Sequence, residues 1–584
     1  MAGRLRDNAH WILVGVAAVI LVGHSLVYNF VTDDAYISFV YSRNFAEHGE
    51  LSFNLGDPVE GYTNFLWTVI LGAIMFAGGE PGLWSRLLGT ASAVATLVIV
   101  TRTMLRVLER RTPWAAMPAL LLALSSGFAC WSSGGLETQL FTMLVAGALD
   151  GLVAAVTTPR ALRRAGALLA LAAMTRPEGP VIAAVFGAVW LAHLVTSRKQ
   201  RMHFLTRDEV FAAAWFLGLW GPWFVWRWSY YGFKFPNTYY VKASGDWTDD
   251  RFPGQMIDHG LYYIWVWLKQ TRLGFVLPVA IVGMIAIKPR TPRFVLGLAC
   301  ALVAIVYVPY TVSVGGDFMG LHRFIMPLFV VAAIAVVLGI ERLATLRVAI
   351  AGWVAMGVLA LVLAVALLEL VALRFPALRP AIPYLAPVAI VIPFISSTRA
   401  LGPLAVVTLL AVFALTQIEL TRRSLDPKNL GADHGVIDTP AFLIVYTEDR
   451  AKIGRAMAPC FRPEDFSIVG GAGAQPYEGR MRGIDVFGLV SRRIAHEEPR
   501  QRPRAGHTKW GNDRLLAEYD PTFVFSCYRL HTTAAQPQLP CFGFWRTKGY
   551  EQITMRIPGL EEQGEYYTFV AKKARNFQCP GRVH

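Results

Sequence analysis

Six long apolar runs constrain this chain more than any other feature of its sequence. They are Trp11–Phe30, Leu83–Val107, Phe211–Trp228, Phe294–Val312, Phe324–Ile340 and Val348–Leu373. Each approaches or exceeds the roughly 20 residues that a helix needs to cross the hydrocarbon of a bilayer. Because 54% of the 584 residues are hydrophobic and 16% are charged, the composition is also typical of a membrane protein. We therefore expect a polytopic α-helical protein that is surrounded by membrane lipids.

The net charge of +15 would suggest nucleic acid as a partner if the protein were soluble. Here the basic residues lie in short clusters between the apolar runs. These clusters are Arg4 with Arg6, Arg102–Arg111, Arg160–Arg164, Arg198–Arg207, Lys288–Arg293 and Arg342–Arg347. Lys and Arg concentrate in cytoplasmic loops of membrane proteins, so the pattern predicts the orientation of the chain and no nucleic-acid partner.

The basic clusters predict the topology of the whole chain. The first run, which is longer than the apolar part of a signal peptide, is predicted to be a retained anchor that delivers the loop 31–82 to the outer side. Within this loop, Phe65–Ala77 is predicted to lie on the membrane. We expect 11 to 13 transmembrane helices, with Trp114–Ser126 and Ala165–Met174 short enough to be half-helices. The expected location is a bacterial inner membrane.

Residues 421–584 differ in composition from residues 1–420, which hold the predicted membrane domain. Strand-like stretches beside Gly- and Pro-rich turns, among them Thr522–Cys527 and Tyr566–Val570, predict a small α/β domain outside the cytoplasm. Its four cysteines, which an oxidising compartment would pair, allow three disulfide pairings. They are Cys460, Cys527, Cys541 and Cys579.

Polar residues that are unusual for a membrane protein gather on the predicted outer side. Ionisable groups near membrane segments are costly to bury, so they tend to mark functional cavities. One outward-facing site that binds substrate would account for the whole set. Its predicted members are Glu60, Tyr62, Asn64, Glu137, Glu178, Tyr231, Asn237, Tyr240, Asp317 and His322, together with His507 from the C-terminal domain.

Asp33 and Asp34 are the predicted catalytic residues. They begin an amphipathic stretch after the first apolar run, where one carboxylate could instead cap a helix N-terminus. Neighbouring side chains project about 100° apart on a helix, so one Asp can order the backbone while the other points into a cavity. A carboxylate in a partly dry cavity has a raised pKa, which suits a general base that takes a proton from a sugar hydroxyl.

Three cations are predicted to bind a phosphate group: Arg176, Lys242 and Arg323. A guanidinium offers a planar fork of donors that matches phosphate oxygens. Arg176 has an alternative, which is an ion pair with the neighbouring Glu178. A divalent cation held by Asp33 or Asp34 together with Asp317 is also conceivable, and no other cofactor is expected.

Several motifs, taken in order, resemble a known family. They are TDDAYISFVYSRNFAEHGELSFNLGDPVEGYTNFLW, SGGLET, TRPEG, YYGFKFPNTYYVK, VGGDFMGLHRF and the tail segments IDVFGL and GHTK. Their sequence is similar to the AftB-like branch of the GT-C membrane glycosyltransferases, which includes a mycobacterial terminal arabinofuranosyltransferase. The likeness spans most of the chain.

The resemblance implies a polytopic fold with an acidic motif in its first outer loop and a periplasmic C-terminal domain over the site. It also implies a lipid-linked donor, a polyprenyl-phosphate sugar such as decaprenyl-phosphoryl arabinofuranose, and a glycan acceptor in the cell envelope. Carried over by position, the acidic motif is Asp33 and Asp34, the second acid of the loop is Glu60, and the later acid is Asp317.

Two other functions remain open from the sequence. A solute transporter also needs polar residues among many helices, although transporters usually place them near mid-membrane and show repeated halves. Another envelope transferase that uses lipid phosphates would need a similar site. The sugar, the acceptor and the stereochemistry of transfer are not decided by these residues.

Overall fold

The computed structural model describes residues 8–108, 113–197, 205–242, 253–285, 288–345, 401–428, 432–433, 437–499 and 506–583. The first part is a bundle of helices, and the part that follows residue 437 is built on a β-sheet. This division agrees with the predicted membrane domain and α/β domain, although the boundary at residue 420 stays a prediction. The helix that leads into the second part ends at Ser424.

Sixteen α-helices form the described part of the bundle. They are α1 (Ala9–Tyr28), α2 (Asp33–His48), α3 (Phe65–Phe76), α4 (Pro81–Val107), α5 (Met117–Leu124), α6 (Ser126–Ser133), α7 (Thr138–Ala155), α8 (Ala161–Thr175), α9 (Gly179–Ser197), α10 (Arg207–Tyr231), α11 (Asn237–Lys242), α12 (Pro253–Gln270), α13 (Leu273–Met284), α14 (Pro292–Ser313), α15 (Met326–Thr345) and α16 (Leu401–Ser424). The turn Gly320–Ile325 precedes α15 as a 3₁₀ helix.

Six stretches of the described residues are helical, long and apolar enough to cross a membrane. They are α1, α4, α7, α9, α14 and the segment Gly320–Arg342, which contains most of α15. The apolar run Phe211–Trp228 does form a helix, α10, but its Trp side chains and Arg227 lower its mean hydropathy. The run Val348–Leu373 lies outside the described residues, so the expected 11 to 13 crossings stay a prediction.

A bent pair of helices adds a seventh possible span. Residues Pro113–Leu124 and Ser126–Ser133 meet at an angle of 66°, so the predicted half-helix Trp114–Ser126 is the first arm of a broken helix. The break frees the backbone N–H of Ser126, which donates to Gln417 Oε1 on α16 over 3.0 Å. The Ser126 hydroxyl donates to the Gln417 carbonyl over 2.6 Å, so the polar backbone at the break is satisfied by α16.

The C-terminal domain packs helices against a mixed sheet of six strands. Its elements are β1 (Ala432–Asp433), β2 (Ile437–Asp438), α17 (Pro440–Met457), β3 (Ser467–Val469), α18 (Ala474–Gly479), β4 (Gly483–Asp485), α19 (Arg492–Glu497), α20 (Asp513–Ala517), β5 (Phe523–His531), α21 (Phe542–Thr547), β6 (Tyr550–Arg556), β7 (Tyr566–Lys572) and β8 (Arg582–Val583). The strand order is β4-β3-β5-β7-β6-β8, with β3 parallel to both neighbours and the other pairs antiparallel.

The four cysteines of this domain form two disulfides, Cys460–Cys579 and Cys527–Cys541. This selects one of the three pairings that the sequence left open. Cys130 and Cys300 are free and buried among apolar side chains of the bundle, as small hydrophobic residues are.

The C-terminal domain lies against the loop that the sequence places between the first two membrane segments. Asn54 exchanges two hydrogen bonds of 2.9 Å with the backbone of Gly483 in β4. Arg43 of α2 donates to the carbonyl of Tyr477 in α18 over 2.8 Å and stacks on the Tyr477 ring. The sheet domain and the start of the bundle therefore form one packed unit around α2.

Candidate active site

A polar cavity of about 190 Å³ lies where α2, the α8–α9 connection, the turn before α15 and the C-terminal domain meet. Its wall contains eight of the residues predicted from the sequence, six of them ionisable. They are Asp34, Tyr62, Asn64, Glu137, Arg176, Glu178, Asp317 and Arg323. The sequence therefore identified the acidic and basic side chains of the cavity wall, and the fold brings them together from four distant parts of the chain.

Arg323 joins two carboxylates at one side of the cavity. Its Nε donates to Asp317 Oδ2 over 2.6 Å, and its Nη2 donates to Asp34 Oδ2 over 3.2 Å. The Asp317 side chain is 7% exposed, whereas the Asp34 side chain is 26% exposed. Of the two carboxylates, that of Asp34 is therefore the more accessible, and its hydrogen bond with Arg323 is the longer one.

Backbone conformations that are rare for most residues place Asp317 and Arg323. Gly315 and Gly316, which directly precede Asp317, both have φ in the left-handed region, +80° and +73°, where glycine is favoured. Leu321 and His322 have φ of +57° and +62°, which L side chains seldom adopt. The His322 ring is buried and its Nε2 lies 2.9 Å from Gln270 Oε1. His322 therefore packs on the side of the turn that faces Gln270 and does not line the cavity.

Arg176 lies at the other side of the cavity between two carboxylates. Its Nη1 donates to Glu137 Oε1 over 2.8 Å, and its Nε and Nη2 donate to Glu178 over 3.1 and 3.3 Å. Asn64 donates to the second oxygen of Glu137 over 2.8 Å. The ion pair that was the alternative for Arg176 is present in the structure. Its role in binding phosphate stays a prediction.

Glu60 lies behind this wall in a buried ion pair. Arg227 of α10 donates to both of its oxygens, over 2.8 and 2.5 Å. Burial raises the pKa of Glu60 to about 7, although the hydrogen bonds from Arg227 oppose the shift. Tyr62 and Tyr231 share a hydrogen bond of 2.9 Å between their hydroxyls, and Tyr231 also donates to the carbonyl of Leu51. Glu60 and Tyr231 thus tie the loop to α10.

Asp33 and Asp34 have different surroundings although they are adjacent. Asp33 faces the C-terminal domain, where its Oδ1 accepts the N–H of Ala474 over 2.7 Å. Burial, with a smaller contribution from the neighbouring Asp34, raises the pKa of Asp33 to about 6. Neither carboxylate caps α2, because its N-cap residue Thr32 makes no side-chain cap bond and Asp33 is already helical. Asp34 lines the cavity, whereas Asp33 binds a backbone N–H of the C-terminal domain.

The remaining predicted residues surround the cavity without forming its wall. Asn237 bonds to the carbonyls of Gly488 and Leu489. Tyr240 packs on His496 with ring centres 4.1 Å apart. His507 packs edge-on against Phe318 and Phe487, next to Gly506, which does contribute to the wall. Lys242 ends α11, and its side chain lies outside the described residues.

Other residues of the wall and its support escaped the sequence reasoning. Phe235 and Tyr239 stack at the cavity with ring centres 4.4 Å apart, and both are substantially exposed. Leu489, from the loop after β4, brings the C-terminal domain into the wall. Arg227 had a detectable signal, since it is a lone cation inside a Trp-rich apolar run and such residues need a buried partner.

The sequence left open a divalent cation held by Asp33 or Asp34 together with Asp317. Among the described residues, no group of three or more His, Cys, Asp or Glu side chains is suited to hold a metal ion. Asp34 and Asp317 share the guanidinium of Arg323, and Asp33 accepts the N–H of Ala474.

Fold and site together define a helical membrane protein with several segments able to cross a bilayer, a small disulfide-bonded sheet domain and a cavity lined by ionisable groups. ArnT from Cupriavidus metallidurans in the apo state is similar over 96% of this chain and 97% of its own, at 14% identity and a TM-score of 0.54. This likeness shows a shared fold over nearly the whole chain. No protein-family model and no curated protein matches the chain in sequence.

Two further solved structures are more distant. ArnT from the same organism bound to undecaprenyl phosphate is similar over 81% of this chain and 85% of its own, at 14% identity and a TM-score of 0.45. The arabinosyltransferase EmbB from Mycobacterium smegmatis is similar over 70% of this chain and 40% of its own, at 14% identity and a TM-score of 0.42.

Proposed function

We propose that this protein transfers a sugar from a polyprenyl-phosphate donor to a hydroxyl of a cell-envelope glycan. The observation that carries the proposal is the cavity in which the accessible carboxylate of Asp34 lies 3.2 Å from the guanidinium of Arg323. A base and a cation side by side are what transfer from a phosphate leaving group requires. The shared fold with ArnT, a protein whose structure is known with undecaprenyl phosphate, supports a donor of this class.

In the proposed reaction, Asp34 accepts the proton of the acceptor hydroxyl as its oxygen attacks the anomeric carbon of the donor sugar. The bond between that carbon and the phosphate oxygen breaks, and the polyprenyl phosphate leaves with the electron pair. Arg323 exchanges its long bond with Asp34 for a phosphate oxygen, while Asp317 keeps its Nε in place. Asp34 is then free to accept the proton of the acceptor hydroxyl.

We further propose that the cavity opens on the extracytoplasmic side of a bacterial inner membrane. The two disulfides of the C-terminal domain support this orientation, because disulfides persist in oxidising compartments. The basic clusters support it independently. Within the GT-C type, the ordered motifs favour an AftB-like enzyme that transfers arabinofuranose.

Purified protein in liposomes with decaprenyl-phosphoryl arabinofuranose and an arabinan oligosaccharide tests the proposal. We expect Asp34→Asn to lower kcat about a thousandfold, because a positioned general base contributes roughly 10²–10⁴ to a rate. The measurements are mass spectrometry of the acceptor and the release of decaprenyl phosphate. Asp57→Asn is the matched control, since Asp57 is an exposed acid of the same loop.

Transfer by Asp34→Asn at the wild-type rate would refute the assigned base. Release of lipid phosphate without a modified oligosaccharide would point to a different acceptor. Uptake of a solute into the liposomes by wild type and Asp34→Asn alike, without any transfer, would favour the transporter.

A further inference from the structure

The first residue of α2 is held by a part of the chain that lies 441 positions away. The backbone N–H of Ala474 donates to Asp33 Oδ1 over 2.7 Å. Ala474 is itself the first residue of α18, so its N–H is one of the donors that an α-helix leaves unpaired at its start. The C-terminal domain thereby contacts the acidic pair directly.

Gly473 approaches Asp33 so closely that no side chain fits between them. A Cβ on Gly473 would lie 2.2 Å from the Asp33 carbonyl oxygen, 2.3 Å from its Cγ and 2.4 Å from its Oδ2. Contacts this short require a shift of backbone, which a packed structure resists. Gly471 is similarly placed, because its Cβ would lie 3.0 Å from Asp33 Oδ2 and from the Tyr446 hydroxyl. Glycine at position 473 is therefore needed for the contact.

The segment that holds Asp33 is firmly connected to its own domain. It follows β3, a strand that pairs with both β4 and β5 in the interior of the sheet. After it, α18 is tied to α2 through Arg43, which donates to the Tyr477 carbonyl over 2.8 Å. The position of Asp33 is thus set by the core of the C-terminal domain.

We propose that the segment Gly471–Ala474 is the positioning element of the active site, and that Asp33 is a positioning residue that aims Asp34 at the cavity. Because adjacent residues of a helix project about 100° apart, fixing Asp33 against the segment turns Asp34 towards Arg323. Asp33 itself touches no substrate. The proposal rests on the proposed function, and it makes the C-terminal domain part of the catalytic machinery.

Gly473→Ala tests the proposal against Gly470→Ala, a matched control whose added Cβ has no atom within 4 Å. We expect Gly473→Ala to lower kcat about 100-fold, the cost of moving a catalytic group by roughly 1 Å. The KM for decaprenyl-phosphoryl arabinofuranose should change little, because Arg323 is untouched, and Gly470→Ala should behave as wild type. A folded Gly473→Ala protein with wild-type kcat would overturn the proposal.

Two substitutions of Asp33 separate positioning from catalysis. Asn keeps an oxygen that accepts the Ala474 N–H, whereas Ala does not. We expect Asp33→Asn to retain kcat within a few-fold of wild type and Asp33→Ala to resemble Gly473→Ala. Loss of activity by Asp33→Asn as large as that of Asp34→Asn would overturn the proposal, because it would show that the charge of Asp33 takes part in the reaction.

Hydrogen exchange provides a readout that does not depend on transfer. Backbone amides at the start of α2 should exchange faster in Gly473→Ala than in wild type or Gly470→Ala, since the contact that restrains them is lost. Unchanged hydrogen exchange in Gly473→Ala would overturn the proposal that this segment positions the start of α2. If the wild type transfers no sugar but Gly473→Ala still exchanges faster, the proposed function is wrong. The contact between Asp33 and the segment Gly471–Ala474 would nevertheless be established.

Discussion

The two arginines of the cavity wall are equally buried but differ in their partners. Arg176 and Arg323 each have a side chain that is 10% exposed. Arg176 lies between Glu137 and Glu178, which are 6% and 3% exposed. Arg323 lies between Asp317, 7% exposed, and Asp34, 26% exposed. Both clusters line the cavity. We call the Arg176 cluster closed, because its three side chains are at most 10% exposed, and the Arg323 cluster open, because its Asp34 side chain is 26% exposed.

This difference indicates separate roles for the two clusters. A buried guanidinium with two buried carboxylates exchanges a partner only at a high cost in desolvation. A guanidinium whose second partner is accessible can exchange that partner for an oxygen of a ligand at a lower cost. We therefore propose that Arg323 binds the phosphate of the donor, and we expect Arg176 to maintain the shape of the wall.

The largest expected effect is a loss of unfolding free energy when the cation of the closed cluster, Arg176, is removed. Arg176→Met would leave Glu137 and Glu178 buried without a counter-charge, which costs roughly 3–5 kcal/mol of unfolding free energy. Arg323→Met should cost less, about 1–3 kcal/mol, because it strands one buried carboxylate, Asp317, instead of two, and Asp34 can be hydrated through the cavity. Unfolding in detergent, followed by tryptophan fluorescence, measures both. The exposed Arg160 provides the control Arg160→Met. Equal losses in the two variants would remove the distinction between the clusters.

A smaller effect, on catalysis, should follow replacement of the open cluster's cation. Lys keeps the charge of Arg323 but lacks the planar fork that reaches Asp317 and a phosphate together. We expect Arg323→Lys to lower kcat/KM for the donor about 100-fold, as losing one well-placed donor to a developing charge does. Steady-state kinetics with varied donor measures it, with Arg176→Lys as the comparison. A larger kinetic loss in Arg176→Lys would reverse the assignment.

The smallest expected effect is on the pH dependence of stability, and it concerns Asp33, the proposed positioning residue beside the open cluster. The pKa of Asp33 is raised from 3.8 to about 6 by burial, so folding favours its protonated form. The stability contributed by this form is complete below the unfolded pKa and is lost as pH rises through about 6. Between about pH 5 and pH 7, wild type should lose about 1 kcal/mol relative to Asp33→Asn, which does not titrate. If the unfolding free energies of wild type and Asp33→Asn vary with pH in parallel, then Asp33 has an ordinary pKa and the prediction is wrong.

Much of the site was accessible from the sequence because its signals are local. Asp34, Glu137, Asp317 and Arg323 stood out because each is an ionisable residue at the end of an apolar run. Such residues are costly unless a cavity or a partner accepts them. A turn at Gly315–Gly316 could also be predicted from the pair of glycines, since both adopt the left-handed conformation that favours this residue.

Other features depended on partners far along the chain. Asp33 and Asp34 were predicted together as catalytic, yet their different surroundings arise from Ala474 on one side and Arg323 on the other. His322 was expected in the site, but its ring turns to Gln270 on α12. Nothing in the local sequence of these residues specifies which distant group will lie beside them.

The sequence by itself indicated that the chain is a membrane protein, that a cysteine-bearing domain follows the helices, and that ionisable residues at the ends of apolar runs, among them Asp34 and Arg323, belong to a cavity. These properties follow from hydrophobic patterns and charges that act within a few turns of helix. Only the tertiary structure decided that Arg323 pairs with Asp34 across 289 positions, that Arg176 is enclosed, and that the C-terminal domain holds Asp33. Pairing of this kind depends on how helices and sheet pack, because hydrogen bonds and ion pairs need partners within about 3 Å.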